Sequence, residues 1–220
     1  MKKNNKKSGI IISAASSTNA KISRLTKESE INVAIDIDKG RTLKINTHTP
    51  ISFLSHLIDS IAWRACCSIE LEVRTKLLKL THMIAEDAGN ALGRGYRTLI
   101  EKRQAALGIN GFGYCVTALD EALALVSLTV EGRANTFIDI QCEGGKMHKV
   151  EDMVTSDIIA FLEGFSQGLG CTLHVLALKG KDPHHTWEAV ARGLGEALRQ
   201  AIAVNRWRKG LSVGMKGTLE

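Results

Sequence analysis

The chain has 220 residues, is 44% hydrophobic and carries a formal net charge of +6. That supports one packed core or two small halves and excludes a disordered or collagenous chain; no apolar run approaches the roughly 20 residues of a membrane span. The charge is local, since seven Lys and Arg precede the first acid, Glu28, and leave 22 cations against 23 anions beyond it, which argues against nucleic-acid binding by the body.

Residues 1–22 read as a basic, disordered N-terminal extension. Its apolar stretch "GIIISAA" is too short for a convincing secretory signal, so a cytoplasmic location is expected. Five cysteines, an odd number with no C-x-x-C pair, fit reduced and mostly buried thiols. In "ESEINVAIDIDKG" Ile31, Val33, Ile35 and Ile37 alternate with polar residues, as in a half-buried strand, and Lys39-Gly40 supplies a turn. "RTLKINT" is expected to return as the second strand of a hairpin.

Next come a short amphipathic helix, "FLSHLIDSIA" from Phe53, an alternating strand, "SIELEV", and a helix entered at His82, "HMIAEDAGNALGRGYRTLI". The stretch 111–145 is β-branched and punctuated by glycine, hence strand-rich. Then the order repeats, with "FLEGFSQGLG" from Phe161, "CTLHVLAL" and "HHTWEAVARGLGEALRQAI" from His184. The two long helices align without a gap, His82 on His184, Glu86 on Glu188, Leu92 on Leu194 and Gly93 on Gly195. The short helices are expected to align Phe53 on Phe161. The chain is therefore expected to be α+β, an internally duplicated two-layer sandwich in which each half is a mostly antiparallel sheet covered by helices. The first half spans 23–112 and the second 113–220, together one pseudo-symmetric unit.

On a helix, i and i+4 lie nearly above one another while i and i+1 diverge by about 100°. His184 and Glu188 can therefore reach one ion, while His185 points elsewhere and most naturally serves another. Trp187, Val190, Leu194, Leu198 and Ile202 form the apolar stripe beside them. A single H-x-x-x-E is usually a surface hydrogen-bonded pair, but its recurrence at His82 and Glu86 points to metal binding. Imidazole with carboxylate suits Mn, Fe, Zn or Co. His56, in the first helix, and His174, on the polar face of "CTLHVLAL", are further candidates; His48 and His148 are assigned no role.

Seven ordered motifs, "RLTKES", "FLSHLI", "HMIAED", "LDEAL", "EGRA", "TLHVLALKGKDPHHTWEA" and "MKGTL", resemble those of the imidazoleglycerol-phosphate dehydratase family from about Arg24 to Leu219. The resemblance implies a metal-dependent lyase of histidine biosynthesis that removes water from imidazoleglycerol phosphate to give imidazole acetol phosphate. It implies two Mn2+ sites, a self-assembled particle of 24 chains, a phosphorylated imidazole as the small-molecule partner, and neither nucleic acid nor membrane. The matching positions make His56, His82, Glu86, His174, His184, His185 and Glu188 metal ligands and Glu28 the proton-transfer residue, with Arg133, Arg192 and Lys216 on the substrate phosphate. By the same resemblance, metals on the substrate's imidazole favour the ionised ring that expels the hydroxyl.

Several positions depart from the family pattern. Met83 replaces the second histidine of the first motif, leaving seven of eight ligands and one weakened site, and is expected to be a packed core residue. Gly111 replaces an arginine and Gly214 a serine on the phosphate side, Arg192 stands for lysine, and Ser55 replaces the aspartate expected to orient His56. These losses define two alternatives on the same fold, a non-catalytic binding paralogue and an enzyme for a different imidazole or hydroxy-phosphate substrate.

Overall fold

The computed structural model describes residues 8–37, 40, 42–76 and 79–217. The lysines of 1–7, the turn residue Lys39 and the closing Thr218-Leu219 lie outside the described residues. In chain order the elements are β1 (Gly9–Ala15), β2 (Asn19–Leu25), β3 (Ser29–Asp36), β4 (Ile45–His48), α1 (Ser52–Ala65), β5 (Ser68–Thr75) and α2 (Thr81–Leu107). The second half continues with β6 (Phe112–Leu119), β7 (Ala122–Thr129), β8 (Asn135–Ile140), α3 (Glu143–Lys146), β9 (Lys149–Val150), β10 (Met153–Val154), α4 (Thr155–Leu169), β11 (Thr172–Lys179) and α5 (Pro183–Ala201). No described helix is long and apolar enough to cross a membrane.

The duplication is complete in the sheets. The first runs β1-β2-β3-β5-β4 and the second β6-β7-β11-β8. Without β1 they match strand for strand: an antiparallel hairpin, an antiparallel third strand, then a parallel outer strand joined to it through a helix. Burial alternates along β3 and β7, so one face of each sheet is packed and the other open. α2 packs on the first sheet and beside α4, while α5 packs on the second sheet and beside α1. Trp187, Tyr96, Phe161 and Phe165 fill the core.

Glycines set the helix contacts. An added Cβ on Gly89 or Gly93 would run into the Phe161 or Phe165 carbonyl of α4, and one on Gly164 or Gly168 into the Glu86 or Asn90 carbonyl of α2. The backbones therefore touch directly, the two helices running the same way.

Three expectations need correction. β1 and β2 pair from Gly9↔Leu25 to Ala15↔Ala20, so the described part of 1–22 is a strand hairpin and not disordered. β4 does not return beside β3: both edges of β3 are taken by β2 and β5, and β4 lies parallel on the free edge of β5. The short helices align one turn away from the expected register. α1 and α4 both end in a left-handed residue, Cys66 (φ 53°) and Gly170 (φ 74°), each two residues before its strand. Gly195 meets Ile61 and Ala65 as Gly93 meets Phe165 and Leu169. Ile61 thus corresponds to Phe165, His56 to Ala160 and Phe53 to Asp157.

Candidate metal centre

α1 and α5 bring His56, His184 and Glu188 together, with one donor atom from each lying within 4.8 Å of the others. His184 and Glu188 lie one turn apart on α5, whose start is set by Pro183 and by Asp182, which accepts from the His184 and His185 N–H groups. His56 faces them from α1. Nε2 of His56 lies 3.0 Å from Glu188 Oε2, and Nε2 of His184 lies 3.2 Å from the same oxygen. The His56 and His184 rings are 5.2 Å apart, and Phe53 completes a triangle with them, 4.9 Å from His184 and 6.0 Å from His56.

Glu188 is only 7% exposed, so its charge needs partners. Arg192 donates through Nε and Nη2 to Oε1 at 3.0 and 2.7 Å, leaving Oε2 to the histidines. Burial pushes the carboxyl up, but hydrogen bonds from His56 and Arg192 and the Arg192 charge outweigh it and hold it below the usual range. The donor set fits a first-row divalent cation: at bond lengths of about 2.0–2.2 Å, adjacent octahedral ligands stand about 3 Å apart, as Glu188 Oε2 does from each imidazole Nε2. A cleft of about 420 Å³ opens beside the cluster, lined by Ile45, His56, Trp63, Arg64, Glu188 and Arg192.

The other motif residues lie elsewhere in the single chain. His185 diverges from His184, with Nδ1 2.9 Å from Glu121 and Nε2 3.6 Å from Asp120. The Glu121 carboxyl is lowered to about 2, first by the Asp182 N–H and then by His185, and the Glu121 contact in turn raises His185. His82 is exposed, with Nδ1 3.4 Å from Asp157 Oδ1, and Glu86 is exposed on the same helix. His174 projects from the open face of the second sheet and stacks on Phe137 at 4.7 Å. Glu28 sits exposed in the β2–β3 turn, its N–H donating to Thr26, and does not join the cluster. Met83 is half-buried against the core.

The phosphate candidates converge in part. An added Cβ on Gly111 would meet the Val213 side chain, and one on Gly214 would lie 3.3 Å from Glu131, which pairs with Arg133 at 2.8 Å. Gly111, Gly214 and Arg133 therefore share a neighbourhood far apart in sequence, Lys216 is exposed two residues beyond Gly214, and Arg192 belongs to the cation cluster. Ser55 caps backward, exchanging hydrogen bonds with Thr49 instead of reaching His56.

The model of the imidazoleglycerol-phosphate dehydratase family matches residues 49–198, more than half the chain and all three clustered residues. The chain belongs to that family. The imidazoleglycerol-phosphate dehydratase of Methylococcus capsulatus is 31% identical over 201 residues, covering 91% of this chain and 98% of the relative. That of Aminomonas aminovorus is 32% identical over 203 residues, with 91% and 99% covered. The crystal structure of the Pyrococcus furiosus family member superposes with a TM-score of 0.71 at 28% identity, covering 89% of this chain and 98% of that one. The duplicated α+β sandwich is thus the family fold.

Sequence reasoning missed Glu151, Asp152 and Asp157. Glu151 Oε1 lies 3.0 Å from His184 Nδ1, and Asp152 accepts from the first N–H groups of α1. None stands in a motif, and the one-turn slip between α1 and α4 hid Asp157. Glu121 stands within "LDEAL", but nothing in that motif marks its contact to His185.

Proposed function

We propose that this chain is a divalent-cation-dependent hydro-lyase that converts imidazoleglycerol phosphate to imidazole acetol phosphate in histidine biosynthesis. The observation that carries the reading is the convergence of His56, His184 and Glu188 in a chain of this family. Mn2+ is the expected ion, with a second site drawing on His82, Glu86, His174 and His185. None of these four joins the first cluster, so neighbouring copies in a self-assembled particle are needed to complete it. A bound cation supplies a Lewis acid that makes the substrate's imidazole a better acceptor for the electrons released at the carbon chain.

The chain's own groups do the rest. Arg192 keeps Glu188 ionised and directs Oε2 toward the imidazoles. Trp63 and Ile45 wall the cleft beside the cluster and shed water from a planar ring. Arg133 and Lys216 offer charge to the phosphate, and Glu28, carried by a neighbouring copy, moves the proton. A cytoplasmic location accords with a phosphorylated small-molecule substrate.

The test is direct. Purified protein loaded with Mn2+ should release imidazole acetol phosphate from imidazoleglycerol phosphate, and turnover at background with concentrated protein overturns the reading. One observation favours a second reading, a binding protein without turnover: the phosphate-side arginine position is a left-handed glycine (φ 72°) filled by Val213. Tight binding of a substrate analogue with no product would establish it.

A further inference from the structure

α1 and α5 present their ligands near their N-terminal ends, and α1 has no side-chain cap of its own, since Ile51 precedes it. Its first N–H groups, from Ser52 and Phe53, donate to the two oxygens of Asp152 at 2.6 and 2.9 Å. Asp152 comes from the two-residue turn joining β9 to β10. The other residue of that turn, Glu151, accepts from His184 Nδ1 at 3.0 Å. A single turn thus holds the helix that carries His56 and the histidine that His56 faces.

Glu151 adopts φ 52°, a left-handed conformation that side-chain-bearing residues seldom take and that glycine or asparagine would fill easily in such a turn. Among described non-glycine residues only Cys66 and Asp120 share a positive φ. Asp120 immediately precedes Glu121, whose carboxylate holds Nδ1 of His185 at 2.9 Å. A left-handed carboxylate turn therefore stands beside each histidine of the second motif. Strain of this kind persists where its surroundings over-determine it, often at functional sites.

We propose that Glu151 and Asp152 are positioning residues of the cation centre. Glu151 holds Nδ1 of His184, which fixes the ring so that Nε2 faces the same space as Glu188 Oε2. Asp152 anchors the first turn of α1, so that Phe53 packs on His184 and His56 meets Glu188. The inference rests on the reading of the cluster as a cation site and adds the pair that pre-orders it.

Glu151→Gly separates this role from a merely structural one, because it relieves the backbone while removing the carboxylate. Its thermal midpoint should equal or exceed that of the parent protein, while Mn2+ affinity, titrated into metal-free protein, falls about 10–100-fold. Glu151→Gln, which keeps an acceptor oxygen, should lose less. Solid-state 15N spectra of histidine-labelled, metal-free protein should show one imidazole Nδ1 losing its carboxylate hydrogen bond in Glu151→Gly and keeping an acceptor in Glu151→Gln. Asp152→Ala should lower midpoint and affinity together, with Asp152→Asn restoring both in part. Full affinity and an unchanged spectrum in Glu151→Gly overturn the proposal. Parent protein that takes up no Mn2+ overturns the cation reading itself, and the 15N spectrum then judges the Glu151 contact separately.

Discussion

Gly111 shows why a sequence difference does not translate into a simple repair. Restoring the arginine of the family pattern looks from sequence like returning a phosphate donor. In the structure the position has φ 72° and its Cβ direction is occupied by Val213. Gly111→Arg is therefore expected to lower stability by about 2–4 kcal/mol, from left-handed strain and overpacking, without raising turnover. Chemical denaturation beside an activity assay checks it; a stable variant with higher turnover would reverse the conclusion. The paired histidines were more legible. Their divergence follows from 3.6 residues per turn, and His184 and His185 do face different carboxylates, Glu151 and Glu121. Calorimetric titration of metal-free protein with Mn2+ should therefore lose one class of ion in His184→Ala and the other in His185→Ala. Loss of the same class from both variants would show a single shared ion.

Helix periodicity explains both what sequence reading captured and what it displaced. The repeated helix–strand–helix order was visible because alternation and 3.6-residue spacing survive divergence. The register between α1 and α4 was not: a four-residue slip returns nearly the same face, so "FLSHL" over "FLEGF" looks as good as the alignment fixed by Cys66 and Gly170. Strand pairing was hidden for another reason, since β4 finds β5 only after α1 has been placed between them. Where α2 meets α4, helix propensity favours Gly93→Ala by up to about 1 kcal/mol, but the new methyl meets the Phe165 carbonyl. The steric effect wins, and thermal unfolding should show a net loss of about 1–3 kcal/mol. At α1, Asp152→Ala should cost about 0.5–2 kcal/mol, the usual value of a cap. Burial raises the Asp152 carboxyl, but the Phe53 and Ser52 N–H groups outweigh it and hold it below its ordinary value. Its contribution is thus fully present above the ordinary aspartate range and is lost as pH falls through the lowered value. The gap in midpoint between the parent protein and Asp152→Ala should be constant near neutrality and close in acid; a gap that widens in acid would contradict the assignment.

The two halves differ on their open sheet faces. The second sheet exposes Phe112, Tyr114 and Val116 on one edge strand, β6, and Phe137 on the other, β8, with His174 stacked on Phe137. These apolar side chains flank the face from its two edge strands, more than a single chain usually leaves open on one sheet face. His174 has no other motif ligand beside it in its own chain, so a metal role for it requires a second copy seated on this face. Assembly and completion of the second cation site are then one event. Val116→Lys, on the β6 edge and away from every ligand, puts a charge into the patch without touching the packed face of the sheet. If the proposed assembly forms through this face, the variant should give smaller species than the parent in analytical ultracentrifugation and lose the class of Mn2+ that depends on His174. The His56–His184–Glu188 class, complete in its donors within one chain, should persist with at most modest weakening. Dissociation that leaves both classes intact would show that His174 finds its partners inside its own chain, and loss of both would mean that even the α1–α5 cluster needs its neighbours to stay ordered.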